Sequence, residues 1–235
     1  MKKIKVSILS YTNSKPFLYG IQKSGFVNQI ELQEGLSFEC AQRLGNNEVD
    51  LALVPVAALH HYPDLTVVGD FCIGAIMPVH SVFIFSSKPI EDIKTIKYDP
   101  QSRTSNHLAK VLFKNKWAIS PTETQDNADA FVLIGDATFG RKEEFEYVYD
   151  LAEEWILFSG YPFAFAVWAT NKSIKPEFLS AFNKALKLGV DNRKQVIAAL
   201  PASKNFDVDD YLMNRISYEF DDNKKTALNM FLELI

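Results

Sequence analysis

Two adjoining segments decide the fold: the run Ile4-Lys5-Val6-Ser7-Ile8-Leu9 and the polar turn Tyr11-Thr12-Asn13-Ser14-Lys15-Pro16-Phe17. Apolar and polar residues alternate in the first segment, which is the period-two pattern of a β-strand. Pro16 suits the first turn of a helix, and Asn13 or Ser14 can cap the free N–H groups of that helix. In open α/β sheets such strand-to-helix loops bind ligands, because the helix N-terminus presents unpaired N–H groups. We therefore expect Asn13 to face a ligand, with a capped turn and no ligand as the alternative.

The composition is that of an ordinary globular protein. The chain has 235 residues, of which 47% are hydrophobic and 23% charged, and its net charge is -4. Its Lys and Arg residues are scattered and form no basic stripe, so we expect no nucleic-acid partner. No apolar run approaches the ~18 residues of a membrane span, and the first apolar stretch is too short and interrupted for a signal peptide. We expect a cytoplasmic protein with no membrane partner.

Metal and nucleotide sites have little support in the sequence. Cys40 and Cys72 each lie in an apolar setting, which favours two buried thiols over a disulfide or a metal site. The four histidines show none of the usual metal-ligand spacings, so we expect no metal. Neither a G-x-G-x-x-G motif nor a P-loop occurs, which leaves a nucleotide cofactor unsupported.

Strands and helices alternate along most of the chain. Because helices separate the first three strands, we expect parallel crossovers rather than hairpins between them. The last helices of the pattern are amphipathic, and Asp207 and Asp221 are placed to cap two of them. The predicted strands cover 4–9, 29–32, 49–56, 65–68, 69–76, 80–86, 93–98, 128–134, 147–151 and 163–169. The predicted helices start near 17, cover 36–44, 106–113 and 176–189, and then follow Asp207 and Asp221.

This order predicts an α/β protein with two lobes joined by two crossing strands, near Val82–Ser86 and near 163–169. Lobe I would comprise residues 1–84 and 170–235, and lobe II residues 85–169. A protein of this shape binds a small molecule in the cleft between its lobes and can close around it by a hinge motion.

Three loops would face the cleft: the 11–17 turn, Ser102-Arg103-Thr104-Ser105, and Gly135-Asp136, with Ser81 near the hinge. The second loop precedes a helix and supplies hydroxyls, N–H groups and a guanidinium, a set that suits a carboxylate, although it also suits a plain helix cap. Asp136 either accepts a hydrogen bond from a ligand hydroxyl or caps the next turn. His80 is a candidate general base, but as a strand neighbour of Ser81 it should point to the opposite face.

Five motifs, in this order and across nearly the whole chain, resemble those of the chorismate dehydratases of the futalosine route to menaquinone. The motifs are the 11–17 turn, Asp50-Leu51-Ala52-Leu53-Val54-Pro55, His80-Ser81-Val82 with Phe85-Ser86, Ser102-Arg103-Thr104-Ser105, and Ile134-Gly135-Asp136-Ala137. The resemblance implies a type II periplasmic-binding-protein-like fold without an export signal.

The resemblance also implies a reaction, the conversion of chorismate to 3-[(1-carboxyvinyl)oxy]benzoate and water, with no metal or organic cofactor. It implies that Asn13 and Ser81 orient the substrate and assist departure of its hydroxyl. The proton acceptor stays open between the substrate's own enolpyruvyl carboxylate and a side chain such as His80. The remaining expected substrate contacts are Tyr11, Ser14, Ser102, Arg103, Thr104, Ser105, Gly135 and Asp136.

Two other functions compete with this interpretation. A non-catalytic solute receptor or ligand sensor can use the same fold, but the sequence shows neither an export signal nor an appended helix-turn-helix segment. The sister 1,4-dihydroxy-6-naphthoate synthase is a lyase on the same scaffold. In that enzyme we would expect a turn like Cys-Pro-Asn-Asp after the first strand, and Tyr11-Thr12-Asn13-Ser14 does not supply it.

Overall fold

The computed structural model describes residues 3–201 and 205–235. The strands in this part of the chain are β1 (Ile4–Leu9), β2 (Ile30–Gly35), β3 (Leu51–Pro55), β4 (Thr66–Ala75), β5 (Val82–Ser86), β6 (Thr95–Lys97), β7 (Thr122–Glu123), β8 (Ala130–Ile134), β9 (Tyr147–Asp150), β10 (Phe163–Thr170) and β11 (Ser217–Glu219). The helices are α1 (Lys15–Lys23), α2 (Ser37–Gly45), α3 (Ala57–His61), α4 (Arg103–Asn115), α5 (Leu151–Ser159), α6 (Pro176–Asp191), α7 (Arg193–Ala198), α8 (Val208–Asp210) and α9 (Asp222–Leu234).

The strands form two sheets. The first has the order β11-β4-β10-β3-β1-β2, and the second has the order β7-β6-β8-β5-β9. Strand β1 pairs in parallel with β2 and β3, which confirms the predicted parallel connections of the opening stretch. The later strands make both sheets mixed, because β10 runs antiparallel to β3 and β4, and β5 runs antiparallel to β8 and β9.

The chain passes twice between the sheets. Strand β5 pairs only within the second sheet in the described chain, and β10 pairs only within the first. The predicted boundary at 84/85 therefore falls inside β5, and the predicted boundary at 169/170 falls at the end of β10. We propose that the lobes divide where the sheet changes, in the connections 76–81 and 160–162, so that loops and not shared strands join them.

Close packing of α1 against α6 fixes the position of the first turn of α1. A Cβ atom added to Gly189 would lie 1.7 Å from the carbonyl oxygen of Pro16, and one added to Gly20 would lie 2.0 Å from that of Ala185. The two helix backbones therefore touch where neither residue has a side chain. Because Pro16 is in the first turn of α1, this contact also holds the preceding 11–14 turn in place.

Two helices differ from the sequence prediction in ways that matter for the site. Helix α4 begins at Arg103, ahead of the predicted start at residue 106, because Ser102 acts as its N-cap and accepts a hydrogen bond from the N–H of Ser105 at 3.2 Å. The helix predicted after Asp207 is present, and Asp207 caps it by accepting the Asp210 N–H at 2.9 Å, but the helix is not α-helical throughout. Helix α8 stops at Asp210, a π-helical turn follows over Tyr211–Arg215, and β11 comes next.

Two further expectations concern membrane-spanning helices and the two cysteines. Across residues 3–201 and 205–235, no helix has both the length and the apolar character needed to cross a membrane. Cys40 and Cys72 are both buried and free, as predicted.

Candidate functional site

A cavity lies between the two sheets and is lined by residues from both. Its empty space is about 520 Å³, a volume that includes open solvent at the mouth. Most of the wall is apolar and comes from β1, β4, β5, β8 and β10. The polar residues of the wall are Tyr11, Asn13, Ser37, Ser81, Ser102, Thr104 and Ser105.

Asn13 and Ser81 meet at one part of this wall through a shared partner. The side-chain amide of Asn13 donates to the hydroxyl of Tyr211 at 3.1 Å, and that hydroxyl donates to Ser81 Oγ at 2.9 Å. The hydroxyl of Ser14 donates to Asn13 Oδ1 at 3.3 Å, which fixes the amide's other end. Asn13 and Ser81 therefore share a hydrogen-bond network although 67 positions separate them in the sequence.

The backbone before Ser81 has an unusual conformation. His80 has a φ of 59°, a left-handed value that costs a non-glycine residue about 1 kcal/mol or more. The Asp150 carboxylate, itself the N-cap of α5, accepts the His80 N–H at 2.7 Å, and the carbonyl of Ser81 accepts the Gly135 N–H at 2.7 Å. These bonds from β9 and the end of β8 hold the turn that directs Ser81 into the cavity.

The N-terminus of α4 forms a second polar part of the wall. The hydroxyl of Ser102 donates to Ser105 Oγ at 2.9 Å, and Thr104 Oγ1 accepts the N–H of Ala57 at 3.1 Å. The Thr104 contact joins α4, which follows β6 of the second sheet, to α3, which follows β3 of the first sheet. Ser102 already accepts the N–H of Ser105, whereas the N–H groups of Arg103 and Thr104 have no acceptor within the helix and can bind an anion.

Tyr11 and Ser37 form a third polar part, at the N-terminus of α2. Burial raises the pKa of the Tyr11 phenol and the neighbouring Ser37 acts against that shift, while the buried Tyr11 hydroxyl has no hydrogen-bond partner among the described residues. Ser37 is the first residue of α2 and is itself buried. Hydroxyls and helix N-termini thus approach the cavity from both sheets.

A polar contact closes the cleft next to this cavity. The Asp136 carboxylate accepts the Thr12 hydroxyl at 2.9 Å and the Thr12 N–H at 3.2 Å. Gly135 has a φ of 61°, and a Cβ atom there would lie 3.1 Å from Cδ1 of Tyr11. Glycine is favoured at this position, because the conformation is left-handed and a Cβ atom would press on the tyrosine ring.

Comparison with known proteins places the chain in a family. The model of a family described as menaquinone biosynthesis matches residues 4–235. This chain belongs to the menaquinone biosynthesis family. The resemblance seen in the sequence motifs is thereby confirmed.

One curated relative agrees with this assignment, and two solved structures show the fold. A chorismate dehydratase of Thermus thermophilus is 24% identical over 230 residues, covering 85% of this chain and 82% of that protein. A structure from Archaeoglobus fulgidus has a TM-score of 0.75 at 17% identity and covers 99% of this chain and 96% of its own. The periplasmic aliphatic sulphonate binding protein of Escherichia coli has a TM-score of 0.66 at 16% identity, with coverage of 100% and 86%. The predicted two-lobed periplasmic-binding-protein-like fold is confirmed.

Most of the residues expected from the family motifs line the cavity: Tyr11, Asn13, Ser81, Ser102, Thr104, Ser105 and Gly135. Three others lie elsewhere. Ser14 is buried behind Asn13, and Arg103 is exposed in a neighbouring groove beside Phe38. Asp136 lines a separate depression and is held by Thr12, because Gly135 turns the chain before it.

His80 does not face the cavity in this member of the family. Burial lowers the pKa of its imidazole, and the nearby cations Arg215 and Lys142 lower it further. The strand alternation predicted for His80 and Ser81 is wrong, because β5 begins only at Val82 and His80 has a left-handed φ of 59°.

Two site residues, Ser37 and Tyr211, were not predicted from the sequence. Ser37 could have been found, because it opens a helix directly after β2, and the rule that identified Asn13 applies equally there. Tyr211 lies in the last quarter of the chain and carried no recognisable motif. Within the described residues, no group of three or more His, Cys, Asp or Glu side chains is arranged to hold a metal ion.

Proposed function

We propose that this protein converts chorismate to 3-[(1-carboxyvinyl)oxy]benzoate and water, the first step of the futalosine route to menaquinone. The observation that carries the proposal is the convergence of Asn13, Ser81 and the N-terminus of α4 on one cavity. Membership of the menaquinone biosynthesis family and similarity to a chorismate dehydratase support it. A cytoplasmic location stays a prediction.

The cavity offers neutral donors to the two carboxylates of chorismate. Ser102 and Ser105, with the first N–H groups of α4, would hold one carboxylate. Ser37 and Tyr11, at the N-terminus of α2, would hold the other. Each helix end contributes a partial charge of about +0.5, which favours an anion without a cationic side chain.

The reaction itself needs positioning and proton transfer. The ring C–O bond breaks and its electron pair leaves with the oxygen, which takes up a proton to become water. A neighbouring ring C–H bond breaks, and its electron pair completes the aromatic ring. We assign Ser81 and Asn13 as the hydrogen-bond donors that orient and stabilise the departing hydroxyl.

The proton acceptor would be the substrate's own enolpyruvyl carboxylate. Tyr11 is the single ionisable side chain among the described residues that line the cavity, and burial raises its pKa, so it is a neutral phenol near neutral pH. The His80 side chain lies among Arg215 and Lys142 and not in the cavity. The substrate carboxylate brings a base into the site at the distance that binding sets.

The test is incubation of the purified protein with chorismate, followed by chromatography and mass spectrometry. We expect an aromatic enol ether that is lighter than chorismate by one water. Asn13→Ala should lower kcat by about 10²-fold, the usual effect of losing one donor to a developing oxyanion. Asn28→Ala, an exposed asparagine on the first lobe, is the matched control and should keep wild-type activity.

Two results would contradict the proposed reaction, and a third would refute the role of one residue. Tight binding of chorismate without turnover would indicate a receptor or sensor. Absence of both binding and turnover would leave the sister synthase, which acts on a different substrate. Full activity in Asn13→Ala would refute the assignment of Asn13 while leaving the reaction itself in place.

A further inference from the structure

The hydroxyl of Tyr211 touches both residues that the proposed reaction assigns to the departing hydroxyl. It lies 3.1 Å from the Asn13 amide nitrogen and 2.9 Å from Ser81 Oγ. We infer that Tyr211 is a positioning residue, which sets the direction in which Ser81 and Asn13 present their hydrogen atoms to the substrate. This inference rests on the proposed function and extends it to a residue outside the family motifs seen in the sequence.

Asn13 must donate to Tyr211, because the amide nitrogen carries hydrogens and cannot accept. A phenol carries one hydrogen, and Tyr211 uses it on Ser81 while accepting a hydrogen from Asn13. Since Ser81 Oγ accepts from Tyr211, its own hydrogen is available to the cavity, where a departing hydroxyl needs a donor. The second amide hydrogen of Asn13 is available in the same way.

The phenol must stay protonated for this arrangement to hold. Tyr211 is 1% exposed, and its burial raises the pKa of the phenol well above its usual value of 10.0. The charged carboxylates of Asp136 and Asp150 raise it further, whereas the bonds to Ser81 and Asn13 act in the opposite direction. Tyr211 is therefore neutral throughout the pH range in which the protein would work.

Aromatic packing holds the Tyr211 ring, and with it the hydroxyl, in a fixed position. Tyr211 opens the π-helical turn Tyr211–Arg215, and the centroid of its ring lies 5.3 Å from those of Phe139 and Phe206, edge to face in each case. Phe139 and Phe206 stack on each other at 3.7 Å. Phe139 follows β8 of the second sheet, so the tyrosine is packed where the two halves of the protein meet.

The test is Tyr211→Phe, which keeps the ring and removes the hydroxyl. We expect kcat for chorismate to fall by about tenfold or more, with KM changed by less than about threefold, because the carboxylate contacts are untouched. Tyr149→Phe, which removes the hydroxyl of a half-buried tyrosine packed on Trp117 and outside the cavity, is the matched control and should keep wild-type kcat. Equal kcat in Tyr211→Phe and wild type would overturn the inference.

A double-mutant cycle separates positioning from general structural support. Combined with Ser81→Ala, Tyr211→Phe should cost much less than it does alone, because the hydroxyl that it orients is already gone. The inference would be overturned if the loss of kcat in the double variant equalled the product of the losses in the two single variants. If Tyr211→Phe does not fold, 3,5-difluorotyrosine at position 211 keeps the fold and lowers the phenol pKa, so kcat should then fall at high pH. An unchanged pH profile would count against the inference.

A crystal structure of Tyr211→Phe gives a readout that does not need activity. We expect Ser81 to occupy more than one χ1 rotamer, and the Asn13 amide to rotate. Unchanged rotamers would refute the inference even if the wild-type protein proved inactive on chorismate, whereas that inactivity alone would refute the proposed function.

Discussion

Thr104→Val removes a hydroxyl that joins the two halves of the protein beside the cavity. Thr104 is 2% exposed, and its Oγ1 accepts the N–H of Ala57 at 3.1 Å. Valine has nearly the same shape but leaves that buried N–H without an acceptor, which costs about 1–3 kcal/mol. We expect the free energy of unfolding to fall by about 2 kcal/mol, as measured by urea denaturation. Because the hydroxyl would also donate to a bound carboxylate, the affinity for chorismate measured by calorimetry should fall about tenfold.

Thr104→Ser is the matched control, since it keeps the oxygen and removes one methyl group. It should cost only about 1 kcal/mol of stability and leave the affinity for chorismate close to that of the wild type. The reasoning fails if the serine variant is destabilised as much as the valine variant, because the methyl packing and not the hydrogen bond would then matter. It also fails if Thr104→Val unfolds within about 0.5 kcal/mol of the wild type.

Three further predictions concern packing, closure and pH. Gly189→Ala places a methyl group 1.7 Å from the Pro16 carbonyl oxygen, so we expect a loss of more than about 3 kcal/mol of stability and a markedly lower Tm. Asp136→Ala removes the acceptor for the Thr12 hydroxyl and N–H, and should increase the radius of gyration measured by X-ray scattering in the absence of ligand. Burial raises the pKa of Asp150 to about 6 from 3.8, so the native state holds the proton more tightly than the unfolded chain. The free energy of unfolding should therefore fall by about 3 kcal/mol as the pH rises from about 4 to 6. In Asp150→Asn, urea denaturation should show that this dependence on pH is lost.

Strand-to-helix loops were the part of the site that sequence could predict. Asn13 follows β1, and the segment that opens α4 follows β6, so the carboxyl ends of two strands bring them to the cleft. The same rule could not say which residue of each loop faces inward. Gly135 has a left-handed conformation that turns Asp136 away from the cavity, and residues 103–105 form the first turn of α4, which leaves Arg103 exposed.

Tyr211 shows why the remaining part of the site could not be predicted from the sequence. Its spacing with Val208, Leu212 and Ile216 predicts one continuous helix with an apolar face, and a tyrosine in such a pattern is usually core packing. The chain instead makes a wider turn, in which the N–H of Ile216 bonds the carbonyl of Tyr211 at 3.0 Å. Apolar spacing carries no signal for this change, because Tyr211, Leu212 and Ile216 are buried even though the turn is wider.

A cavity with neutral donors has a chemical consequence for a substrate that supplies its own base. A lysine or arginine beside the enolpyruvyl carboxylate would bind it tightly but would lower its pKa, and with it the ability to take a ring proton. Hydroxyls and the helix N-termini at Ser37 and Ser102 hold an anion with smaller partial charges, so the carboxylate keeps more of its basicity. Exclusion of water by the apolar remainder of the wall raises that basicity further, because a charged carboxylate is less well solvated there. In the described chain the exposed guanidinium of Arg103 lies in the neighbouring groove and not in the cavity wall, which is the placement that this chemistry requires.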